Sequence, residues 1–380
     1  MNGDQKRLSI LGSTGSVGTQ TLEVVRSYPD HFKVICLGAN RNTEALKKQV
    51  LEFLPKAISC DFHEDVLDNI NGTYSVMSME QIATHEETDM VVVATSGNVA
   101  LVPTIEAIKN GKDIAIANKE TIIMAGEQLT SLAESNSVNL MPVDSEPSAI
   151  WQCLRGESGN ISKLIITASG GPFRNIPIPS LENVTPDDAL KHPTWEMGTK
   201  ISVDSATMMN KAFEVIEAKW LFNVPWDNIE VLVHPESIVH SMVEFSDGST
   251  KAQLSYPDMR IPIQHALFFP ERASSSPVES FNPQKSNALN FEPLDKDRYP
   301  CFDMAVNFAK KGGTWPSALT GADEAAVSTF LDHKIKFTEI QSIIKEAIKD
   351  HNSIESPSPS DMLKASDWGS KRVFDLAGGN

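Results

Sequence analysis

The sequence predicts an α/β protein with an N-terminal Rossmann-like doubly wound sheet, a central α+β domain and a C-terminal helical domain. Three observations support this prediction. Apolar runs of strand length alternate with helical patterns through the first 143 residues, strand and hairpin signals follow Asp144, and about the last 80 residues are helical in pattern. The expected domains are residues 1–144, 145–270 and 303–380, with a linker over residues 271–302.

In the first domain, five apolar runs predict strands and four amphipathic stretches predict helices. The strands are expected at Arg7–Leu11, Lys33–Leu37, Met90–Ala94, Asp113–Ala117 and Val138–Val143. The helices are expected at Thr19–Ser27, Thr43–Phe53, Pro103–Asn110 and Glu127–Ser135. Such alternation is typical of a parallel sheet with helices on both faces.

The remaining chain has a different pattern. Strands are expected at Lys163–Ala168 and Val231–Val233, and the Asp247-Gly248 pair predicts a hairpin turn. Prolines and serines over 270–300 indicate an extended linker. Two runs, 338–341 and 358–361, resemble helix starts.

Charge and cysteine usage exclude several classes of protein. The chain has 33 Lys and Arg against 50 Asp and Glu, a net charge of −17. We expect no nucleic-acid partner and no membrane partner, and an anionic substrate would need a local cationic pocket. The N-terminal residues have no apolar signal core, so we expect no signal or transit peptide. The four cysteines have no metal-binding spacing. We therefore expect reduced thiols and a cytoplasmic protein.

A glycine-rich turn follows the first predicted strand. Gly12, Gly15 and Gly18 are spaced GxxGxxG and precede a predicted helix. A turn of this kind brings backbone N–H groups of a helix N-terminus to a pyrophosphate, although a plain strand–helix turn is the alternative. The second strand leads into Gly38-Ala39-Asn40-Arg41-Asn42, a segment that contains Arg41 and no acidic residue. This favours NADP(H) over NAD(H), unless Arg41 is an ordinary surface residue.

Three carboxylates predict a metal site. Asp144 and Glu146 follow a predicted strand, where they are expected on one side of an extended segment. Glu214 lies on a predicted helix one turn after Lys211. Oxygen ligands without cysteine favour Mg²⁺ or Mn²⁺, whereas the alternatives are a solvated strand end and an exposed Lys211–Glu214 ion pair.

Several segments could supply donors to a phosphate. Ser169 opens a Ser-Gly-Gly run after a strand, and Ser205, Asn210 and Lys211 lie near one helix start. The polar and aromatic run 191–198 is expected to be a lid, in which Trp195 is mobile without ligand.

Further pocket residues are predicted at strand ends. Ser237 lies between His234 and His240, although each histidine alone could be structural. Lys119 follows a strand at the edge where α/β sheets bind ligands.

Together these segments resemble the 1-deoxy-D-xylulose 5-phosphate reductoisomerase family over nearly the whole chain. The most specific run is Lys200–Lys211 with Glu214. The other matching segments are Gly12–Gly18, Ala117–Glu120, Pro142–Glu146, Thr167–Phe173, His192–Gly198 and His234–Met242.

The resemblance implies an assignment for every site residue. The implied metal ligands are Asp144, Glu146 and Glu214, for one Mg²⁺ or Mn²⁺ ion. The implied catalytic and substrate-binding residues are Lys119, Ser145, Glu146, Ser169, His192, Trp195, Met197, Ser205, Asn210, Lys211, Glu214, Ser237 and His240. The implied NADPH contacts are Gly12, Thr14, Gly15, Ser16, Val17, Ala39, Asn40, Arg41, Asn42, Asn118, Glu120 and Gly198.

The implied reaction has two stages, a rearrangement of the carbon skeleton of a small phosphorylated ketose and a reduction by NADPH. The central domain would then be catalytic, and the protein is expected to be a homodimer. The chain departs from the family at Pro147, where the family usually has histidine, and at Thr95–Asn98, where it has a glycine-rich stretch.

Two other functions remain open from the sequence. An aldehyde dehydrogenase acting through a thioester would need an activated cysteine, for which Cys153 is the candidate. A non-catalytic NADPH sensor would not need the carboxylates or the phosphate pocket.

Overall fold

The computed structural model describes residues 5–62, 74–192, 194–195, 197–286 and 288–378. These residues form two compact units. The first contains the described parts of 1–121, 127–148 and 258–280, and the second contains those of 122–126, 149–257 and 281–380. Residues 258–280, expected in the central domain and the linker, thus belong to the first unit. The four-part division predicted from the sequence stays a prediction.

The first unit contains a seven-stranded parallel sheet in the order β4-β3-β2-β1-β5-β6-β7. Its strands are β1 Lys6–Leu11, β2 Phe32–Gly38, β3 Ala57–Ser59, β4 Ser75–Val76, β5 Met90–Val93, β6 Asp113–Ile116 and β7 Leu140–Pro142. The central strands are buried on both faces, as their continuous apolar runs require.

The second unit contains a five-stranded sheet in the order β11-β10-β8-β9-β12. Its strands are β8 Ile161–Ala168, β9 Ile229–Val233, β10 Val239–Phe245, β11 Thr250–Leu254 and β12 Glu292–Pro293. Only β8 and β9 pair in parallel. The hairpin lies at Asp247-Gly248, where Gly248 has a φ of +87°.

Fourteen helices are found in the described residues. They are α1 Ser16–Ser27, α2 Thr43–Phe53, α3 Met79–Ala83, α4 Leu101–Lys109, α5 Lys119–Ser135, α6 Ser145–Leu154, α7 Pro186–Ala189, α8 Thr199–Thr207, α9 Met209–Phe222, α10 Arg260–Phe268, α11 Pro300–Ala309, α12 Trp315–Leu331, α13 Ile340–Ile348 and α14 Pro359–Ala377. None of the described helices is long and apolar enough to cross a membrane.

The C-terminal helices pack closely around a large apolar core. Phe213, Phe330 and Ile344 are among its buried members. Helices α12 and α14 approach each other at glycines, since a Cβ at Gly321 would lie 1.9 Å from the carbonyl oxygen of Ser366. The α14 helix begins with the predicted capping box at Ser358. These helices confirm the predicted helical C-terminal part.

The predicted linker is partly built into the second sheet. β12 pairs with β9, and Arg298 donates hydrogen bonds to the carbonyl oxygens of Phe173 and Ile176. The C-terminal end of the linker therefore fastens the loop that follows β8.

Candidate active site

The glycine-rich turn between β1 and α1 has the backbone that an anion site needs. Gly12 has a φ of +88°, and a Cβ there would lie 2.6 Å from the carbonyl oxygen of Ala94. A Cβ at Gly18 would lie 2.2 Å from the carbonyl oxygen of Gly12. Gly15 and Ser16 are exposed, and no described side chain caps α1. Only glycine fits at positions 12 and 18, and the helix N-terminus is open to an anion. The predicted cofactor contacts Thr14 and Val17 are partly exposed in this turn.

The end of β2 presents a cation to solvent. Arg41 is exposed and forms no ion pair within the described parts of the chain. Ala39 is buried, whereas Asn40 is exposed and Asn42 caps α2 by accepting a hydrogen bond from the backbone of Ala45. An exposed guanidinium at this strand end can meet a 2′-phosphate.

Asn118 holds a neighbouring loop in place. Its amide donates to the carbonyl oxygens of Thr95 and Gly97, and its oxygen accepts from the backbone of Thr121 at the start of α5. The side chain is thus fully engaged within the protein. Asn118 therefore shapes the loop 95–98, and Glu120 beside it is buried.

The segment after β7 corrects one expectation. Ser145 and Glu146 form the first turn of α6 and do not continue an extended strand. Acidic residues favour a helix N-terminus, and the backbone of Ser148 bonds to the carbonyl oxygen of Asp144. Pro147 fits this turn because its missing N–H would have no partner within the helix.

Two side-chain contacts order this segment. Lys119 forms an ion pair with Asp144, and both side chains are largely buried. Ser145 donates to a carboxylate oxygen of Glu146 at 2.5 Å. The first unit therefore holds two carboxylates and an ammonium together.

In the second unit, the loop after β8 packs against α8. Gly170 and Gly171 have φ values of +90° and +68°. A Cβ at Gly171 would lie 2.6 Å from the carbonyl oxygen of Ser205. The hydroxyl of Ser169 accepts from the backbone of Gly171 at 3.2 Å, and the buried Tyr299 donates to the carbonyl oxygen of Gly170. The predicted Ser-Gly-Gly nest is thus braced from two sides.

Helices α8 and α9 meet at a sharp corner. Met208 is buried with a φ of +60° and separates the two helices. Just beyond the corner, Asn210 donates to Glu214 at 2.6 Å. The ammonium of Lys211 lies 2.7 Å from the other carboxylate oxygen of Glu214. The pair is buried, so the alternative of an exposed ion pair was wrong.

His192 is held as a neutral ring. Its Nδ1 accepts from the backbone N–H groups of Thr194 and Trp195, and its Nε2 lies 3.0 Å from the hydroxyl of Ser169. Burial and then the positive charge of Lys211 lower the pKa of His192 to about 4. The Nε2 atom therefore carries the hydrogen and donates to Ser169.

The predicted lid is described in part. The Trp195 ring lies 6.1 Å from that of His240 in an edge-on arrangement, and Met197 is partly buried before the exposed Gly198. Pro193 and Glu196 lie outside the described residues. The expectation that Trp195 moves on ligand binding stays a prediction.

The last predicted pocket residues are Ser237, in the turn between β9 and β10, and His240, near the start of β10. Ser237 has a φ of +51° and donates its backbone N–H to the carbonyl oxygen of His234. Nε2 of the buried His234 accepts from the backbones of Ile238 and Val239, which gives His234 a structural role. The Nε2 of His240 lies 3.2 Å from the carbonyl oxygen of Ser255.

Several buried or half-buried polar residues near these segments were given no role from the sequence. Gln49 on α2 donates to the carbonyl oxygen of Ser13 inside the glycine-rich turn. Glu217, one turn after Glu214, is equally buried. Lys200 bridges Asp204 and Asp323. Asp323 lies more than a hundred residues away from Lys200, so no local pattern could have joined them.

Cys153 lacks the surroundings of a nucleophile. It is buried, and desolvation raises the pKa of its thiol to about 11. A thioester mechanism needs a thiolate near neutral pH. The structure therefore gives no support to the aldehyde dehydrogenase alternative.

Family profiles match most of the chain. The profile of 1-deoxy-D-xylulose 5-phosphate reductoisomerase matches residues 8–126. Two profiles of the C-terminal domain of that enzyme match residues 140–222 and 254–372.

Curated proteins match over nearly their full length. A 1-deoxy-D-xylulose 5-phosphate reductoisomerase from Desulforamulus reducens is 48% identical over 374 residues, which are 96% of each chain. The enzyme of the same name from Caldanaerobacter subterraneus is 48% identical over 94% of this chain and 96% of its own.

Solved structures have the same fold. The reductoisomerase from Zymomonas mobilis in complex with NADPH superposes with a TM-score of 0.90 at 35% identity, over 99% of this chain and all of its own. A reductoisomerase in complex with NADPH, fosmidomycin and magnesium gives 0.91 at 35% identity over 98% of both chains.

Proposed function

Because the chain belongs to the 1-deoxy-D-xylulose 5-phosphate reductoisomerase family, we propose that Asp144, Glu146 and Glu214 are the ligands of the divalent cation on which its reaction depends. The protein is an NADP-dependent oxidoreductase. It isomerises and reduces 1-deoxy-D-xylulose 5-phosphate to 2-C-methyl-D-erythritol 4-phosphate in the non-mevalonate isoprenoid pathway, with NADPH and a divalent metal ion.

The chemistry of the three side chains supports the metal assignment. All three offer carboxylate oxygens, the ligands that Mg²⁺ and Mn²⁺ prefer. Glu214 is 1% exposed, and its charge is balanced by Lys211. Burying a charged carboxylate is unfavourable unless a cation lies beside it. A bound metal ion would be a second cation beside Glu214, in addition to Lys211.

The second unit supplies the proposed phosphate pocket. Ser169, His192, Ser205, Asn210 and Lys211 offer hydroxyl, imidazole, amide and ammonium donors. Lys211 adds the positive charge that an anionic substrate needs on a protein of net charge −17. Ser237, His240, Trp195 and Met197 are proposed to line the remainder of the substrate site.

The cofactor is proposed to bind along the first sheet. The turn 12–18 offers backbone N–H groups to the pyrophosphate of NADPH, and Arg41 meets its 2′-phosphate. The other proposed contacts are Ala39, Asn40, Asn42, Asn118, Glu120 and Gly198. The backbone of Asn118 is the available part, because its side chain is engaged.

When bound, the cation polarises the substrate's oxygens as a Lewis acid and NADPH supplies the hydride. The chain's own residues orient the substrate. Lys119, paired with Asp144, places an ammonium beside the proposed metal ligands, where it can donate hydrogen bonds to substrate oxygens. Lys211 and its neighbours hold the phosphate, and this remote contact fixes the reacting carbons.

We further propose that the enzyme is a cytoplasmic homodimer. The four cysteines are free thiols, which supports a reducing compartment. The dimer rests on the family relationship, and light scattering of the purified protein tests it, with twice the mass of one chain expected and the mass of a single chain contradicting it.

The observation that supports the site best is the buried Glu214, held between Asn210 and Lys211 at the start of α9. The test of the assignment is NADPH consumption with 1-deoxy-D-xylulose 5-phosphate, followed by absorbance with and without Mg²⁺. Consumption should require both substrate and metal in the natural chain. Glu214→Gln should sharply lower activity and raise the Mg²⁺ concentration needed for half-maximal rate, and a variant that responds to Mg²⁺ like the natural chain would refute the ligand assignment.

A further inference from the structure

Lys200 joins three helices of the second unit. Its Nζ atom lies 2.7 Å from Oδ2 of Asp204 on α8 and 2.8 Å from Oδ2 of Asp323 on α12. The same atom lies 4.9 Å from the ring centroid of Phe213 on α9. We call these four side chains the Lys200 junction.

The carboxylates of the junction are removed from water. The side chains of Asp204 and Asp323 are 3% and 1% exposed, and that of Lys200 is 27% exposed. Burial, and after it the charges of Asp323 and Asp204, raise the pKa of the Cys301 thiol nearby. Because buried charges are stable only when they are paired, moving the ammonium would cost two ion pairs at once. The junction therefore fixes Lys200 at one point.

Asp323 is unusual for its place in the helix. It lies in the interior of α12, which runs from Trp315 to Leu331, so it cannot cap either end. Aspartate is a poor former of helix interiors, and its burial adds a desolvation cost. In this position its carboxylate forms an ion pair with Lys200.

Three of the four side chains of the junction lie next to proposed site residues or to the lid in sequence. Lys200 follows the lid run by two residues, Asp204 immediately precedes Ser205, and Phe213 immediately precedes Glu214. A shift of α8 relative to α12 would move the Ser205 hydroxyl and the corner at Met208 that leads to Lys211. Displacements of about 1 Å can cost 100-fold in activity when they misplace a bound substrate.

We propose that Asp323 is a positioning residue that, through Lys200, locks α8 against α12 and so sets the geometry of the phosphate pocket. This rests on the assignment of Ser205, Asn210 and Lys211 to the substrate's phosphate. Asp204 lies on the same helix as Lys200 and cannot transmit the position of α12. The two carboxylates therefore have different roles, although each contacts the same ammonium.

The test compares three near-isosteric variants of the full-length enzyme. Asp323→Asn removes the negative charge that α12 contributes to the junction and leaves Lys200 paired with Asp204. Asp204→Asn removes the negative charge that α8 contributes and leaves the ion pair of Lys200 with Asp323. Thr329→Val is the matched control, because Thr329 lies on α12, is also 1% exposed and loses one hydrogen bond of 2.6 Å, to the carbonyl oxygen of Ala325.

The readouts separate positioning from general damage. They are the KM for the phosphorylated substrate, the KM for NADPH, the inhibition constant of inorganic phosphate and the Tm. Asp323→Asn should raise the substrate KM and the phosphate inhibition constant together, by about tenfold, which corresponds to 1.4 kcal/mol. The KM for NADPH should not change, and Asp204→Asn should have a clearly smaller effect on phosphate. Thr329→Val should leave all three constants unchanged.

Two results would overturn the proposal. One is an Asp323→Asn variant with a lowered Tm and unaltered phosphate constants, which would make the junction purely structural. The other is an equal rise of the phosphate constants in Asp204→Asn, which would show that the total charge of the junction, and not the link to α12, determines phosphate binding. If Asp323→Asn does not fold, Lys200→Arg is the alternative variant, because it keeps the positive charge at position 200 but changes its place relative to Asp204 and Asp323. For the proposal to stand, Lys200→Arg must raise the phosphate constants.

A reference variant tests the pocket itself. Lys211→Met should raise the substrate KM and the phosphate constant strongly. If Lys211→Met has no effect, the phosphate pocket is wrongly assigned. If Lys211→Met has its effect and Asp323→Asn has none, only the positioning proposal fails.

Discussion

The Nζ atom of Lys211 lies 2.7 Å from Oε2 of Glu214, one helical turn away, and the two side chains are 6% and 1% exposed. An exposed pair of this spacing would contribute little to stability, whereas breaking a buried pair costs about 3–5 kcal/mol. The relationship connects the two proposed halves of the site, since Lys211 is assigned to the phosphate and Glu214 to the metal.

Arg41 should determine the choice of cofactor. A charge-assisted contact to the 2′-phosphate contributes roughly 1.5–3 kcal/mol, so Arg41→Ala should raise the KM for NADPH roughly 10- to 100-fold. The KM for NADH should barely change. Steady-state kinetics with both cofactors measure this. The control is Lys48→Ala, which removes an exposed positive charge from the following helix and should leave both constants unaltered.

His192 should make stability depend on pH. Its pKa is lowered to about 4 in the folded state, against an ordinary value near 6.5. Between these two pH values the unfolded chain binds a proton that the folded chain does not. The contribution of the neutral His192 ring to the free energy of unfolding is therefore complete above about pH 6.5 and is lost as the pH falls toward 4. Denaturant unfolding of the natural chain and of His192→Gln measures the free energy of unfolding at each pH. As the pH falls through this range, His192→Gln should lose less of that free energy than the natural chain does. Identical pH dependence in both proteins would contradict the neutral, buried ring.

Trp195 should report lid closure. We expect Trp195→Ala to lower catalytic efficiency while the Tm of the free protein stays within a few degrees, as fits a loop residue outside the core. The ligand-induced fluorescence change of the natural chain minus that of Trp195→Phe isolates this indole from the other five tryptophans. A difference of zero, or a large loss of stability in Trp195→Ala, would show that the indole belongs to the core.

Gly171 should be irreplaceable for a reason that Gly156 lacks. Both have a positive φ, +68° and +76°, so alanine strains both backbones. At position 171 the new Cβ would also lie 2.6 Å from the carbonyl oxygen of Ser205, whereas at 156 no described atom lies within 4 Å. Gly171→Ala should therefore be less stable than Gly156→Ala by about 1–3 kcal/mol and should bind substrate more weakly. Equal stability of the two variants would show that the loop does not depend on this close approach.

The sequence predicted the fold well where periodicity is local. All five predicted strands of the first sheet are present, and α2 has the predicted bounds, Thr43–Phe53. The strands β3 and β4 and the helix α3 were not predicted, and β3 and β4 lack a continuous apolar run such as that of β5. The start of α5 at Lys119 was missed because the continuous apolar run 122–125 follows its first turn and hides the helical period.

The site was predictable at the level of residue types and less so in its geometry. The local run at Asp144 suggested a strand end, whereas the acidic first turn begins α6. Likewise, one turn of helix spacing suggested an exposed Lys211–Glu214 pair as an alternative, and only the tertiary fold buries it. Contacts between distant segments, such as Lys200 with Asp323, depend on packing that no local pattern contains.

The assignment of Glu214 as a metal ligand is tested most directly by the affinity of the protein for Mn²⁺. Calorimetry measures this affinity for the natural chain, Glu214→Gln and Glu230→Gln. Glu230 is the control, because its carboxylate lies 2.7 Å from a lysine, Lys163, on the protein surface. Glu214→Gln should bind Mn²⁺ at least about tenfold more weakly, a loss of 1.4 kcal/mol or more. Glu230→Gln should bind like the natural chain. Unchanged Mn²⁺ affinity in a folded Glu214→Gln variant would show that Glu214 is not a metal ligand.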